Sequence, residues 1–188
     1  MALKIIFMGT PKFSVPILDS IHQSNHKIIE VYTQPPTKKN RGQKVHLSPV
    51  HTFSKKNNIP VRHPNQIDTN EELEHIDKLK ADLVIVAAYG KILPRSLLNL
   101  KNLKFINIHA SLLPKWRGSA PIHRAIMNSD PETGISIMKI VPKLDSGPVM
   151  MSSKIKIQKD TNYEKLSNQL SKMGSELILK SLKLLENN

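Results

Sequence analysis

Short apolar runs alternate with amphipathic stretches along the first two thirds of the chain. The apolar runs have the length and residue types of β-strands, and they cover Leu3–Met8, Lys27–Tyr32, Asp82–Ala87, Leu103–Ile108 and, more weakly, Ile59–Arg62. Helical patterns between these runs predict a short helix over Val15–His22, a polar helix over Pro49–Lys56, and a helix over Asn70–Lys80, where three apolar residues lie at helical spacing. Strands that alternate with helices in this way are typical of βαβ units, so we expect an α/β protein with a mostly parallel, twisted sheet.

The central run from Leu83 to Ala88 is apolar at every position, as expected of a strand that is covered on both faces. The sequence therefore predicts three layers, with helices on both faces of the sheet. The remaining elements are predicted as a helix over Pro121–Met127, strands over Gly134–Val141 and Val149–Ile157, and a last helix that opens with a capping-box pattern from Thr161 to Glu164. The connection Gln34–Ser48 is longer than most, and we expect a mobile loop there.

Composition narrows the class of protein. The 188 residues suit one domain, and the chain has no cysteine, which excludes a disulfide framework, a thiolate metal site and a cysteine nucleophile. No apolar run is long enough for a secretion signal or a membrane span. We therefore expect a soluble, cytoplasmic protein without a membrane partner. No metal is required, and a monomer is expected although composition does not decide the oligomeric state.

Charge is unevenly distributed along the chain. The net charge is +13, from 28 basic and 15 acidic residues, which favours an anionic partner. A drift toward A/T-rich codons would also enrich lysine, but it would not separate the two signs. No acidic residue occurs from Val31 to Ile67, whereas six of the fifteen acids fall between Asp68 and Asp82. Four of the basic residues lie in the long connection and are called the basic quartet below: Lys38, Lys39, Arg41 and Lys44.

Candidate chemistry is concentrated where the run Leu103–Ile108 ends. Asn107 and His109 are two residues apart, so on a strand they share one face, and the turn-rich segment that follows puts them at its carboxyl end. Ligands bind at that end of the strands in open α/β sheets. An amide donor beside an imidazole can stabilise and protonate a carbonyl oxygen as its carbon becomes tetrahedral. Asp145, 36 residues after His109, is a candidate for orienting the imidazole and fixing its tautomer.

Neither common nucleotide-binding signature occurs. Gly9 follows the first strand, but no G-x-G-x-x-G pattern and no phosphate-binding G-x-x-x-x-G-K-[ST] loop is present, so a nucleotide cofactor is not expected.

Four segments together resemble one family. The run from Asn107 to Pro114, with Asp145 downstream, is similar to the signature of the folate-dependent formyltransferases. Within them, the run from Trp116 to Ile122 most resembles the methionyl-tRNA formyltransferases, and the segments Ile5–Ser14 and Val86–Pro94 agree. The four motifs occur in the family's order. Ser146-Gly147-Pro148 departs from the Thr-Gly-Asp of many members, which puts the loop beside Asp145 in doubt.

The resemblance implies a Rossmann-like formyltransferase fold and a specific activity. That activity is transfer of the formyl group of 10-formyltetrahydrofolate to the amino group of methionyl initiator tRNA, in support of translation initiation. It implies catalytic roles for Asn107, His109 and Asp145. It also implies a folate site made by eight residues: Ala87, Ala88, Tyr89, Gly90, Ser111, Leu112, Leu113 and Pro114. Residues 1–188 would be the catalytic domain, and the C-terminal β-barrel that family enzymes usually carry would be absent.

By the same resemblance, the basic quartet would contact the acceptor end of the tRNA, since phosphate contacts need only charge and reach. The alternative is a solvated surface loop. A sugar-nucleotide N-formyltransferase has a similar site motif but is disfavoured by the run from Trp116 to Ile122 and by the basic quartet. A phosphoribosylglycinamide formyltransferase is disfavoured by the tryptophan–arginine pair. A non-catalytic tRNA- or folate-binding remnant is the last alternative, against which the three intact site residues argue.

Overall fold

The computed structural model describes residues 2–39 and 44–186. Nine strands are present in these residues: β1 (Lys4–Gly9), β2 (Lys27–Tyr32), β3 (Thr37–Lys39), β4 (Lys44–His46), β5 (Val61–Arg62), β6 (Leu83–Ala87), β7 (Lys104–His109), β8 (Glu132–Lys139) and β9 (Val149–Lys156). Six helices accompany them: α1 (Ser14–His22), α2 (Pro49–Lys56), α3 (Asn70–Lys78), α4 (Arg95–Leu98), α5 (Pro121–Met127) and α6 (Tyr163–Glu186). None of these helices combines the length and the apolar character needed to cross a membrane.

Seven strands form one twisted sheet in the order β5-β2-β1-β6-β7-β8-β9. The strands from β5 to β7 are parallel, and β8 and β9 are antiparallel to their neighbours. The chain first builds outward from β1 through β2 to β5, and then starts again on the other side of β1 with β6. The gap between the carboxyl ends of β1 and β6 is therefore a topological switch point, where α/β sheets bind ligands.

Helices cover both faces of the sheet. On one face, α1, α2, α5 and α6 enclose a core that includes Ile17, Ile108 and Ile178; on the other, α3 and α4 cover Ile6, Val84 and their neighbours. Burial of β6 at every position follows from this arrangement. The predicted three-layer, mostly parallel fold is confirmed.

Local sequence signals explain where most helices begin. Proline occupies the first turn of α2 and α5, and the hydroxyls of Ser48 and Thr69 accept backbone N–H bonds at the starts of α2 and α3. The capping box predicted from Thr161 is wrong by one residue. The cap of α6 is Asn162, whose Oδ1 accepts the N–H of Lys165 at 2.9 Å, because an amide oxygen reaches that donor as well as a hydroxyl would.

One short helix and one hairpin were not expected. The short helix α4 lies in a segment with too few residues to show a period. Within the long connection, β3 and β4 pair as an antiparallel hairpin, so six of the described residues of the predicted loop form strands. The backbone of Lys38, Lys39 and Lys44 belongs to this hairpin, and Arg41 lies outside the described residues.

Candidate active site

A cavity of about 690 Å³ opens at the carboxyl ends of β1, β6 and β7. This volume is in the range that encloses small organic ligands. Asn107, His109 and Asp145 all lie in its wall. The cavity therefore coincides with the switch point of the sheet.

The structure brings the three predicted catalytic residues together. Asn107 Nδ2 donates to Asp145 Oδ1 at 3.4 Å, and Asp145 Oδ2 lies 3.6 Å from His109 Nδ1. The side chains of His109 and Asp145 are 7% and 10% exposed, so their charges interact with little screening by water. A separation of 3.6 Å is too long for a hydrogen bond, so His109 and Asp145 lie at ion-pair distance in this structure.

A backbone carbonyl fixes the tautomer of His109. Its Nε2 lies 2.9 Å from the carbonyl oxygen of Trp116. A carbonyl can only accept a hydrogen bond, so in this geometry Nε2 carries a proton, and Nδ1 is the nitrogen that faces Asp145. Because Asp145 lies 3.6 Å from Nδ1, beyond hydrogen-bond distance, the tautomer expected from Asp145 is set here by the Trp116 carbonyl instead.

Asp145 is held by the backbone of two loops. Its own φ is +42°, a left-handed conformation that is uncommon outside glycine, and the N–H of Gly118 donates to its Oδ2 at 2.8 Å. Two residues later, a Cβ on Gly147 would lie 1.9 Å from the carbonyl oxygen of Lys139. The loop that carries Asp145 therefore depends on the absence of a side chain at 147, and Ser146 and Pro148 leave the carboxylate in place.

The segment after β6 forms another part of the cavity wall. Ala88, Tyr89 and Gly90 line the cavity, with φ of +49° at Ala88 and +84° at Gly90. Burial raises the pKa of Tyr89 to about 12, and the nearby Glu72 carboxylate adds to the effect, so the phenol stays neutral. Ala87 is fully buried and does not line the cavity; its carbonyl accepts a bond from Ser14 Oγ at 2.6 Å.

The run from Ser111 to Pro114 does not line the cavity, in contrast to the folate site implied by resemblance. Ser111 is fully buried; its hydroxyl donates to the carbonyl of Lys115, and its carbonyl accepts the hydroxyl of Ser136 at 2.7 Å. Leu112 packs against Gly134 of β8. These contacts hold the loop that carries Trp116, and they give Ser111 and Leu112 a supporting place behind the cavity. A direct contact between them and folate stays a prediction without geometric support.

The base of the β3–β4 hairpin is bonded to the cavity wall. Gln34 Nε2 donates to the carbonyls of Tyr89 and Gly90 at 3.3 and 2.9 Å. The backbone N–H of Gln34 donates to Thr10 Oγ1, which itself donates to the carbonyl of Tyr89 at 2.8 Å. The hairpin that bears three of the basic quartet is thereby anchored beside the cavity.

Several cavity residues carried no signal in the sequence. Apolar side chains from the end of β8 and the following loop form one wall, and aromatic side chains lie near the starts of α1 and α6: Met138, Ile140, Val141, Leu144, Phe13 and Tyr163. Scattered single residues of these types are ordinary in any α/β protein, so only the folded chain reveals them as neighbours. Among the described residues, no three His, Asp or Glu side chains are grouped as a metal ion would require.

Comparison with known proteins identifies the family of this chain. Residues 3–182 match the family described as Formyl transferase. The chain belongs to this formyl transferase family. The resemblance inferred from the four motifs is confirmed at this level.

Two curated relatives in the formyl transferase family are methionyl-tRNA formyltransferases. That of Pelagibacter ubique is 54% identical over 97% of this chain and 59% of its own length, and that of Paramagnetospirillum magneticum is 46% identical over 98% and 60%. The chain thus spans about three fifths of the length of these relatives. The crystal structure of phosphoribosylglycinamide formyltransferase from Streptococcus pneumoniae superimposes with a TM-score of 0.78 at 18% identity, covering 97% of this chain and 98% of that one. At this identity the likeness concerns the fold alone.

Proposed function

We propose that this chain transfers the formyl group of 10-formyltetrahydrofolate to the amino group of methionine on initiator tRNA. The observation that carries the proposal is the cluster of Asn107, His109 and Asp145 in a cavity at the switch point, in a chain 54% identical to a methionyl-tRNA formyltransferase. We further propose that the chain acts in the cytoplasm, in translation initiation, and as a monomer.

The cavity suits a flat, largely apolar donor. Ala88 and Gly90 present backbone with almost no side chain, and Ile140 and Val141 face the same space. Backbone N–H and C=O groups along such a wall can recognise the edge of a fused heterocycle, while apolar side chains enclose its faces. We therefore assign donor binding to the wall formed by residues 88–93, Met138, residues 140–142 and Leu144.

Formyl transfer joins the amine nitrogen to the formyl carbon and breaks the bond from that carbon to the donor nitrogen. One proton must leave the attacking amine and one must reach the departing nitrogen, while negative charge develops on the formyl oxygen. The Asn107 amide donates to that oxygen, and the His109 imidazolium stabilises its charge. The Nε2–H of His109 stays hydrogen-bonded to the Trp116 carbonyl. The proton that His109 exchanges during the reaction is therefore the one on Nδ1. Asp145 stabilises the charged imidazole beside it.

The acceptor approaches past the β3–β4 hairpin. The hairpin is anchored to Tyr89 and Gly90 through Gln34, so a strand of nucleic acid that contacts the basic quartet lies beside the cavity mouth. Lysine and arginine side chains need only reach phosphate oxygens, and the net charge of +13 strengthens the attraction.

The proposal is tested by transfer of labelled formyl from 10-formyltetrahydrofolate in parallel reactions. Charged initiator tRNA, a UDP-amino sugar, glycinamide ribonucleotide and water alone serve as acceptors, and His109→Gln is the inactive control. We expect product on the tRNA only. Formylation of the sugar or of the ribonucleotide, with none on tRNA, would replace the acceptor, and no donor turnover in any reaction would favour a binding remnant.

A further inference from the structure

Asp130 is a buried carboxylate that the proposed chemistry does not use. Its side chain is 2% exposed and lies on the loop between α5 and β8, outside the wall of the cavity. Three donors surround it. Trp116 Nε1 donates to Oδ2 at 2.6 Å, while Lys115 Nζ and Asn128 Nδ2 donate to Oδ1 at 2.8 and 2.7 Å. A buried charge with this many partners is held in one geometry.

The residue that Asp130 grips is the one that contacts His109. Trp116 has φ of +57°, a left-handed conformation that is strained for a non-glycine residue and persists only where its surroundings hold it. In that conformation its carbonyl accepts the bond from His109 Nε2. The indole is thus fixed at one end by Asp130, and the backbone of the same residue faces the imidazole.

The same turn supplies a second contact to the site. Two residues after Trp116, Gly118 has φ of +85°, and its N–H donates to Asp145 Oδ2. A shift of the turn would therefore disturb both partners of the histidine–aspartate pair. We propose that Asp130 is a positioning residue that acts through the Trp116 indole to hold His109 as its Nε2–H tautomer and to keep Asp145 beside Nδ1.

The charge state of Asp130 agrees with this geometry. Burial alone would raise its pKa, but hydrogen bonds from Lys115, Asn128 and Trp116 outweigh burial, so the pKa lies below the usual range for an aspartate. Asp130 is therefore an anion near neutral pH, where it accepts the hydrogen bond from the indole N–H.

This inference rests on the proposed function only in taking His109 as the acid–base group, and its first test needs no substrate. Long-range ¹H–¹⁵N NMR on protein with labelled histidine reports the tautomer of each ring, and the His109 signals among the eight histidines are those lost in His109→Gln. We expect wild type to show Nε2–H for His109, and Asp130→Asn and Trp116→Phe to show a mixture of tautomers. Asn128→Ala is the matched control, because it removes a bond to Oδ1 and leaves the bond between Oδ2 and the indole.

The second test separates positioning from general stability. In Asp130→Asn and in Trp116→Phe we expect kcat for formyl transfer to fall by about 10- to 100-fold, as for a misplaced catalytic group. The KM for folate should be unchanged and the pH profile of kcat displaced. Asn128→Ala should keep the wild-type kcat and profile. If Asp130→Asn does not fold at the assay temperature, Trp116→Phe decides, since it keeps the carboxylate and its bonds to Lys115 and Asn128.

Each outcome has a separate meaning. A wild-type tautomer and kcat in folded Trp116→Phe would overturn the positioning role, and so would an equal loss in Asn128→Ala. If wild type fails to formylate tRNA while the NMR result holds, the proposed acceptor is wrong and the positioning role stands.

Discussion

Replacing Asp145 with asparagine separates the chemical from the structural role of this residue. The carboxylate accepts one short bond, from the Gly118 N–H at 2.8 Å, and one long bond, from Asn107 at 3.4 Å, and it pairs with His109 at 3.6 Å. Asparagine has nearly the same shape but one acceptor oxygen, no charge, and an NH₂ group that cannot accept.

The expected cost to folding is small. A hydrogen bond to a charged group stabilises by about 1.5–3 kcal/mol and a neutral one by about 0.5–1.5 kcal/mol, so if the amide oxygen keeps Gly118, the loss is roughly 1–2 kcal/mol. For a chain of this size that is a Tm decrease of about 2–8 °C. Activity should fall far more, by roughly a hundredfold in kcat or beyond, because the imidazolium loses the charge that stabilises it.

The assays are a thermal melt and saturation kinetics of formyl transfer, with Ser146→Ala as control. Ser146 is the next residue, and its hydroxyl makes only a local bond to the carbonyl of Lys143, so both readouts should stay near wild type. An Asp145→Asn variant that folds and keeps kcat within about threefold of wild type would refute the role assigned to the carboxylate.

Four further results are expected. His109→Gln and His109→Ala should each lower kcat by about a hundredfold or more while the protein stays folded, and full activity in either would contradict acid–base catalysis by this residue. Gly147→Ala should lower kcat at least tenfold in the same assay, since its Cβ would lie 1.9 Å from the Lys139 carbonyl and the Asp145 loop must move; a wild-type rate would show that the loop adapts. Alanine at all four positions of the basic quartet should raise the KM for tRNA and flatten its salt dependence while folate binding is unchanged, whereas equal tRNA use at several salt concentrations would favour codon drift. The lowered pKa of Asp130 stabilises the fold above the aspartate's unfolded-state pKa, and that contribution is lost as pH falls through the folded-state value; Asp130→Asn should therefore unfold with a shallower dependence on acid pH in denaturant titrations.

Much of the fold could be predicted because its signals are local. The apolar runs at β1, β2, β6 and β7 and the helical spacing of apolar residues in α3 each reflect burial of the element's own residues. The short helix α4 has no such signal. The β3–β4 hairpin was missed because its strands contain lysines where alternating apolar residues would mark a strand.

The sequence predicted the side chains of the site but not the backbone groups that contact them. Asn107, His109 and Asp145 form a recognisable combination, and the structure brings them together. The carbonyl of Trp116 and the N–H of Gly118 could not be anticipated, because every residue except proline has both groups, and only the conformation of the turn aims them at the site.

The two edge strands of the seven-stranded sheet affect whether copies of the chain can aggregate. An edge strand has unpaired backbone groups that can capture another chain. At one edge, β5 has only two residues, which is too short a template for pairing. At the other edge, β9 has eight residues, and Lys154 and Lys156 lie exposed along it, so an approaching strand meets positive charge. We therefore expect these lysines, of which Lys154 also pairs with Glu132, to hinder the addition of a strand at this edge, an effect that does not depend on any substrate.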